Sequence, residues 1–201
     1  MATPHRSWRC LALLGALSAA VLAASSGARA SDRWFVPDHS KVQLAGWIGF
    51  ISPGFGYSWF DRRLEADLFF GWVPPPLGGE HITSVTSKVT WLPLRFGDAD
   101  AVTYHPLTVS LQMTYTFGSE YWVFEPSGRY PTSNYYPLPT ALRGGLGVGG
   151  DLGRRMWRFE RASLYYEVVA LDLMLGYWIG SPHAIGPADV FSLAFGLRFE
   201  H

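Results

Sequence analysis

From Phe191 to Phe199 every second residue is large and apolar: Phe191, Leu193, Phe195, Leu197 and Phe199 alternate with Ser192, Ala194, Gly196 and Arg198. A period of two puts the two sets on opposite faces of a β-strand. The same alternation recurs along the chain and predicts eight strands, several near the roughly 9–11 tilted residues that cross a bilayer. The first covers Lys41–Phe50, with Val42, Leu44, Gly46, Ile48 and Phe50 on one face. Ser52-Pro53-Gly54 reads as a turn, and a short second strand follows over Phe55–Phe60. After a tight turn at Asp61-Arg62-Arg63, the third strand turns Leu64, Ala66, Leu68, Phe70 and Trp72 one way and Glu65 and Asp67 the other. Pro74, Pro75 and Pro76 stop it, because proline cannot donate to a ladder.

The fourth strand, Ile82–Leu92, sets Val85, Val89 and Trp91 against Ser84, Thr86, Lys88 and Thr90. A longer connection from Pro93 to Pro106 leads to the fifth, in which Leu107, Val109, Leu111, Met113, Tyr115 and Phe117 alternate with Thr108, Ser110, Gln112, Thr114 and Thr116. A loop over 118–137 precedes the sixth strand, Leu138–Gly149, whose inner face would carry Arg143, Gly145, Gly147 and Gly149. So many glycines on one face predict a crowded interior or sharp curvature. Asp151–Arg161 is turn-like, and the seventh strand lies within Ser163–Tyr177. Glu167 and Asp172 have opposite parity there, so both could face inward only across a β-bulge. A loop over 181–187 precedes the last strand.

One greasy face and one polar face on each strand suit a barrel with lipid outside and a polar lumen within. The inward set is then Glu65, Asp67, Lys88, Gln112, Arg143, Glu167 and Arg198. Eight strands leave a lumen barely wide enough for side chains. Such charges must pair across it or cost several kcal/mol each. An ion or proton path is the sharper alternative, and it would require continuous water.

Composition agrees with export and a membrane. Arg6 and Arg9, the apolar run Leu11–Ala24 and Ala28-Arg29-Ala30 have the layout of a secretory signal peptide over residues 1–30, leaving 31–201 as one barrel domain. The only cysteine is Cys10, so disulfides are not expected in that domain. Without Arg6, Arg9 and Arg29 the chain has 13 basic against 16 acidic residues and no basic run, which argues against a nucleic-acid partner. Only 16% of residues are charged, against about 25% for soluble domains. No stretch of residues 31–201 is apolar for long enough to form a membrane-spanning helix, which leaves a closed barrel as the spanning structure.

No zinc-binding spacing, nucleophile elbow or phosphate-cradling glycine loop appears. One arrangement could make a hydrolytic triad: His183 beside Ser181, with Glu167 or Asp172 as the acid. The last two strands and their loop resemble the outer-membrane lipid A deacylases of the PagL type. Those place a serine two residues after the histidine and then an asparagine; here Ile185 and Gly186 stand in those places. More broadly, the chain from residue 31 onward resembles the small outer-membrane barrels of the OmpA/OmpX/PagL kind. The segments Tyr165–Leu173 and Asp189–Leu197 are most similar to members known only as barrel proteins. That resemblance implies a Gram-negative outer membrane, contact with lipids and lipopolysaccharide, and a closing strand that the barrel-assembly machinery reads.

The expectation is therefore an all-β, eight-stranded antiparallel up-and-down transmembrane β-barrel without a cofactor or metal. Its role would be structural, envelope-stabilising or one of surface contact, with Tyr121, Trp122, Tyr130, Tyr135 and Tyr136 as loop contacts. A lipid-modifying hydrolase at the rim and a soluble periplasmic ligand-binding barrel are the alternatives.

Overall fold

In the computed structural model, residues 36–97, 101–124, 139–156, 159–180 and 186–201 are described. Eight strands close into a barrel: β1 (His39–Ala45), β2 (Ile51–Trp59), β3 (Leu64–Val73), β4 (Ile82–Trp91), β6 (Val102–Phe117), β7 (Leu142–Met156), β8 (Phe159–Leu171) and β9 (Phe191–Glu200). A two-residue β5 (Phe96–Gly97) adds to the start of β6. All pairings are antiparallel, and β4 meets β6 to complete the ring. β1 and β9 lie side by side, so the wall begins and ends at one rim, called here the short-turn end. Three short helices, α1 (Pro75–Gly78), α2 (Asp172–Gly180) and α3 (Pro187–Val190), sit in connections at the opposite, long-loop end.

The registers show how far the strands tilt. Ala45 pairs with Ala194, Ala194 with Glu167, Glu167 with Gly149 and Gly149 with Thr108. Continuing round β4, β3 and β2 brings the path back to the level of β1 about ten residues from its start, a stagger that closes eight strands around a core of side chains.

Every wall strand turns large apolar groups outward. Leu44, Phe55, Phe70, Trp91, Leu111, Leu146, Leu164 and Phe195, one from each, are exposed. The inner face is its chemical opposite, since Lys41, Gln43, Glu65, Lys88, Gln112, Asp151, Glu167 and Arg198 are buried. The faces assigned to the third, fourth and last strands agree with this throughout. The inner glycines do make room in a crowded lumen. A Cβ on Gly147 would collide with Glu167 and Ser110, and one on Gly196 with the Tyr165 ring.

Several boundaries differ from the sequence reading, each for a local reason. The first strand ends at Ala45, not Phe50. Ala45, Gly46 and Trp47 take positive φ (60°, 76° and 67°), and the chain dives into the barrel mouth. Ile48, expected on the outer face, is therefore buried at 1% exposure. Its carbonyl accepts the Ser84 hydroxyl at 2.6 Å, and it passes so close to Gly71 that no side chain fits there. Ser52-Pro53-Gly54 is not a turn but part of β2. The β2–β3 register runs on across it, from Ile51↔Trp72 to Gly54↔Phe69, with pairing lost only around the proline that has no N–H.

The fifth strand begins at Val102 rather than Leu107. A bulge between His105 and Thr108, at Pro106, flips the parity so that His105 and Thr108 both face inward. The sixth starts at Leu142 rather than Leu138 and runs to Met156, through the segment read as a turn. Leu138 itself lies outside the described residues. The seventh spans Phe159–Leu171, and Asp172 opens a helix, so no bulge relates it to Glu167. The leader over 1–30 also lies outside the described residues.

Replacing Gly196 by valine should cost about 1–3 kcal/mol through overpacking against Tyr165. Urea unfolding would measure this, with the exposed Leu197→Val as a control that changes stability by no more than about 0.5 kcal/mol. Equal stability of the two variants would contradict the packed lumen.

Candidate functional site

The lumen is filled by an ionic network that links strands not adjacent in the sheet. Glu65 on β3 lies near its centre. One carboxylate oxygen accepts from the Arg198 guanidinium on β9 at 2.5 Å, the other from the Lys41 ammonium on β1 at 2.7 Å. Lys41 and Arg198 face each other directly across the β1–β9 ladder, where like charges repel. Glu65 between them turns that repulsion into two attractions.

The other buried carboxylates are used in the same way, each oxygen on a different donor. Asp67 bonds the His39 ring through Oδ1 and the Lys41 ammonium through Oδ2, both at 2.7 Å. Asp151 takes the His105 ring on one oxygen and Arg198 at 3.0 Å on the other. Glu167 takes the Ser110 hydroxyl on one and the Lys88 ammonium on the other. Glu200 receives Arg198 at 2.8 Å and Arg62 from the β2–β3 turn, and Arg62 also reaches Glu160 at 2.6 Å. Charge-assisted bonds of this kind are the strong class, and for buried ions they take the place of bulk hydration.

Tyr165 divides the network. Its ring lies 5.9 Å from the Nζ of both Lys41 and Lys88, and its hydroxyl donates to the Gln43 side-chain oxygen at 3.2 Å. Gln43 also accepts from Lys88 at 3.1 Å. Towards the long-loop end come the paired hydroxyls of Thr86 and Thr114 (2.8 Å), the buried Phe69 ring under Lys88, and the inturned 45–48 segment. The Gln112 amide donates to the Gly46 carbonyl at 3.2 Å and helps hold that segment in the mouth. Between the two halves a cavity of about 30 Å³ is lined by Lys41, Glu65, Lys88, Asp151, Tyr165, Glu167 and Arg198. That is room for a water or two, far below the roughly 300–1,000 Å³ of a small-molecule site.

Six of the seven anticipated lumen residues meet inside: Glu65, Asp67, Lys88, Gln112, Glu167 and Arg198. Arg143 is the exception. It sits half-buried at the long-loop rim, 3.7 Å from Asp172, because β7 begins only one residue earlier. His39, Lys41, Gln43, Asp151, His105, Tyr165 and Glu200 were not anticipated. Alternation with Val42 and Leu44 could have found Lys41 and Gln43, and alternation with Arg198 could have found Glu200. His105 lies before the Leu107 start read for the fifth strand, and Asp151 lies after the Gly149 end read for the sixth.

Of the rim residues considered for hydrolysis, Ser181 and His183 lie outside the described residues. Glu167 has both oxygens engaged deep in the barrel, while Asp172 accepts the Gly144 N–H at 3.1 Å at the mouth. Of the loop aromatics, Tyr121 and Trp122 are half-buried. The Trp122 carbonyl accepts from the N–H groups of Thr140 and Ala141, both at 3.0 Å, which folds the segment back onto the rim. Tyr130, Tyr135 and Tyr136 lie outside the described residues. A metal is a further possibility at His39, Glu65 and Asp67, whose donor atoms lie within 4.8 Å of one another. Lys41 bonds both carboxylates there, so its ammonium already supplies the positive charge that a cation would bring.

Lys88→Met should destabilise the fold by about 3–5 kcal/mol, because it leaves Glu167 buried without its cation. Adding Glu167→Gln should recover part of that loss, since a neutral amide can still accept from Ser110. Denaturant unfolding of both variants and of Glu167→Gln alone closes the cycle; strictly additive losses would show that the pair is not coupled.

A scan against models of protein families, a search of curated proteins and a search of solved structures found no match to this chain.

Proposed function

We propose that this chain is a bilayer-spanning β-barrel of a bacterial outer membrane, closed to solutes, with a structural or surface-contact role carried by its long-loop end. One observation carries the reading: the wall is apolar on its outside around the whole ring and ionic within. Soluble barrels that hold ligands are built the other way, with an apolar interior and a wetted exterior. Exposed apolar surface on every strand would aggregate in water, whereas in a bilayer it is the favoured solvent face. The leader-like residues 1–30 and the alternation of β9 support export and insertion, and the resemblance to small outer-membrane barrels supports the outer-membrane location.

The filled lumen argues against a channel and against a ligand carried inside. Phe69 and Ile48 are buried towards the long-loop end and Leu92 towards the short-turn end, so apolar side chains flank the ionic middle. Activity then belongs to the ends. The long-loop end has the longer connections and the half-buried aromatics Tyr121 and Trp122, suited to lipopolysaccharide or to a surface partner.

Fractionation tests this directly. The protein should remain with membranes through high-salt and alkaline washes, require detergent for release, and migrate faster on a gel when unheated than when boiled. In a planar bilayer it should give no conductance above the lipid alone. Recovery in the soluble fraction without detergent would overturn the reading.

A further inference from the structure

The segment that follows β8 has no polar face. From Leu173 to Gly180, α2 reads Leu-Met-Leu-Gly-Tyr-Trp-Ile-Gly, with the Tyr177 phenol and Trp178 indole as its only polar side-chain groups. Its one charge, Asp172, is drawn to the barrel mouth by Gly144 and Arg143. A helix that is apolar on all sides is ordinarily buried in protein or in lipid. Among the described residues no protein covers the far side of this one, and Ile179 is 71% exposed and Tyr177 47%. At nine residues it is too short to span a bilayer.

Its position indicates what covers it. Trp178 packs edge-on against Phe191 at 5.6 Å. Phe191 begins the β9 row that continues outward through Leu193, Phe195 and Leu197. The apolar surface of α2 therefore continues the outer wall upward at the β8–β9 corner. A Tyr-Trp pair at the end of such a wall is suited to the headgroup boundary, where an aromatic body meets acyl chains and its polar tip meets water.

We infer that α2 is an interfacial helix whose exposed face, flanked by Tyr177 on one edge and Ile179 on the other, embeds in the acyl chains of the leaflet at the long-loop end. The partner is lipid, and the inference rests on the bilayer-spanning reading above. The helix gives one side of the barrel an added lipid contact, which fixes the depth and tilt at which the wall sits.

Site-directed fluorescence in the full chain separates the outcomes. In a Cys10→Ser background, an environment-sensitive NBD label is placed at Ile179→Cys, at Leu193→Cys on the wall, and at Glu120→Cys as an exposed loop control. The proteins are reconstituted into phosphatidylcholine vesicles with or without doxyl groups on the acyl chains. Label 179 should lose emission to the doxyl lipid and resist aqueous dithionite as label 193 does, while label 120 shows the reverse. Label 179 behaving like label 120, with label 193 still quenched by lipid, would overturn the inference and leave the barrel reading intact. Protection of label 179 from both quenchers would assign the face to protein and also overturn it. If label 193 is not quenched by lipid either, the bilayer reading itself fails. Tyr177→Cys serves as a second reporter if Ile179→Cys does not regain the gel shift of the folded barrel.

Discussion

The structure depends on the double use of each buried carboxylate. A closed ring of eight strands leaves a lumen only as wide as its side chains, so an ion placed there has other side chains in place of bulk water. Glu65 holds Lys41 with one oxygen and Arg198 with the other, and Asp67, Asp151, Glu167 and Glu200 repeat the arrangement on different donors. Three of these bonds join strands that are not neighbours, and they tie β3 to β9, β8 to β4 and β7 to β9 across the barrel. Backbone ladders join each strand only to the next; these ion pairs make the ring a single cooperative unit.

The same network constrains register. A slip of one residue in any strand would turn its charges to the outer face and its aromatic row into the lumen. A slip of two would keep the faces but separate each carboxylate from its donors. The first error is opposed by the apolar exterior and the second by the ionic interior, so the two faces of each strand specify one alignment between them. Glycines serve this arrangement where side chains approach closely, as Gly147 does beneath Glu167 and Gly196 beside Tyr165.

Filling the lumen with paired charge also limits what the barrel can do. The inturned segment after β1, with Ile48 over Gly71, closes one mouth by burying backbone inside the wall, and Ser84 and Gln112 supply its hydrogen bonds. What remains available for contact is the outer surface and the two ends. The ends are unequal, since the two longest connections, 118–141 and 172–190, and all three helices lie opposite the termini. The proposal of a membrane barrel rests on the apolar wall around an ionic interior.

The sequence by itself determined the strand-and-face pattern, because side-chain direction in a strand has a period of two and needs no knowledge of neighbours. Glu65, Asp67, Lys88, Gln112, Glu167 and Arg198 could be placed inside on that ground alone. Only the tertiary structure decided where the pattern breaks and which charge meets which. Pro53 reads locally as a turn but is held in β2 by the partners on either side. Pro106 displaces the ladder by one residue and so turns His105 inward to Asp151. Arg143 follows the inward parity, yet it lies at the rim because its strand has only just begun. Pairing depends on the stagger between strands far apart in the chain. Alternation records which face a residue takes, while closure of the ring sets the height at which it meets a partner.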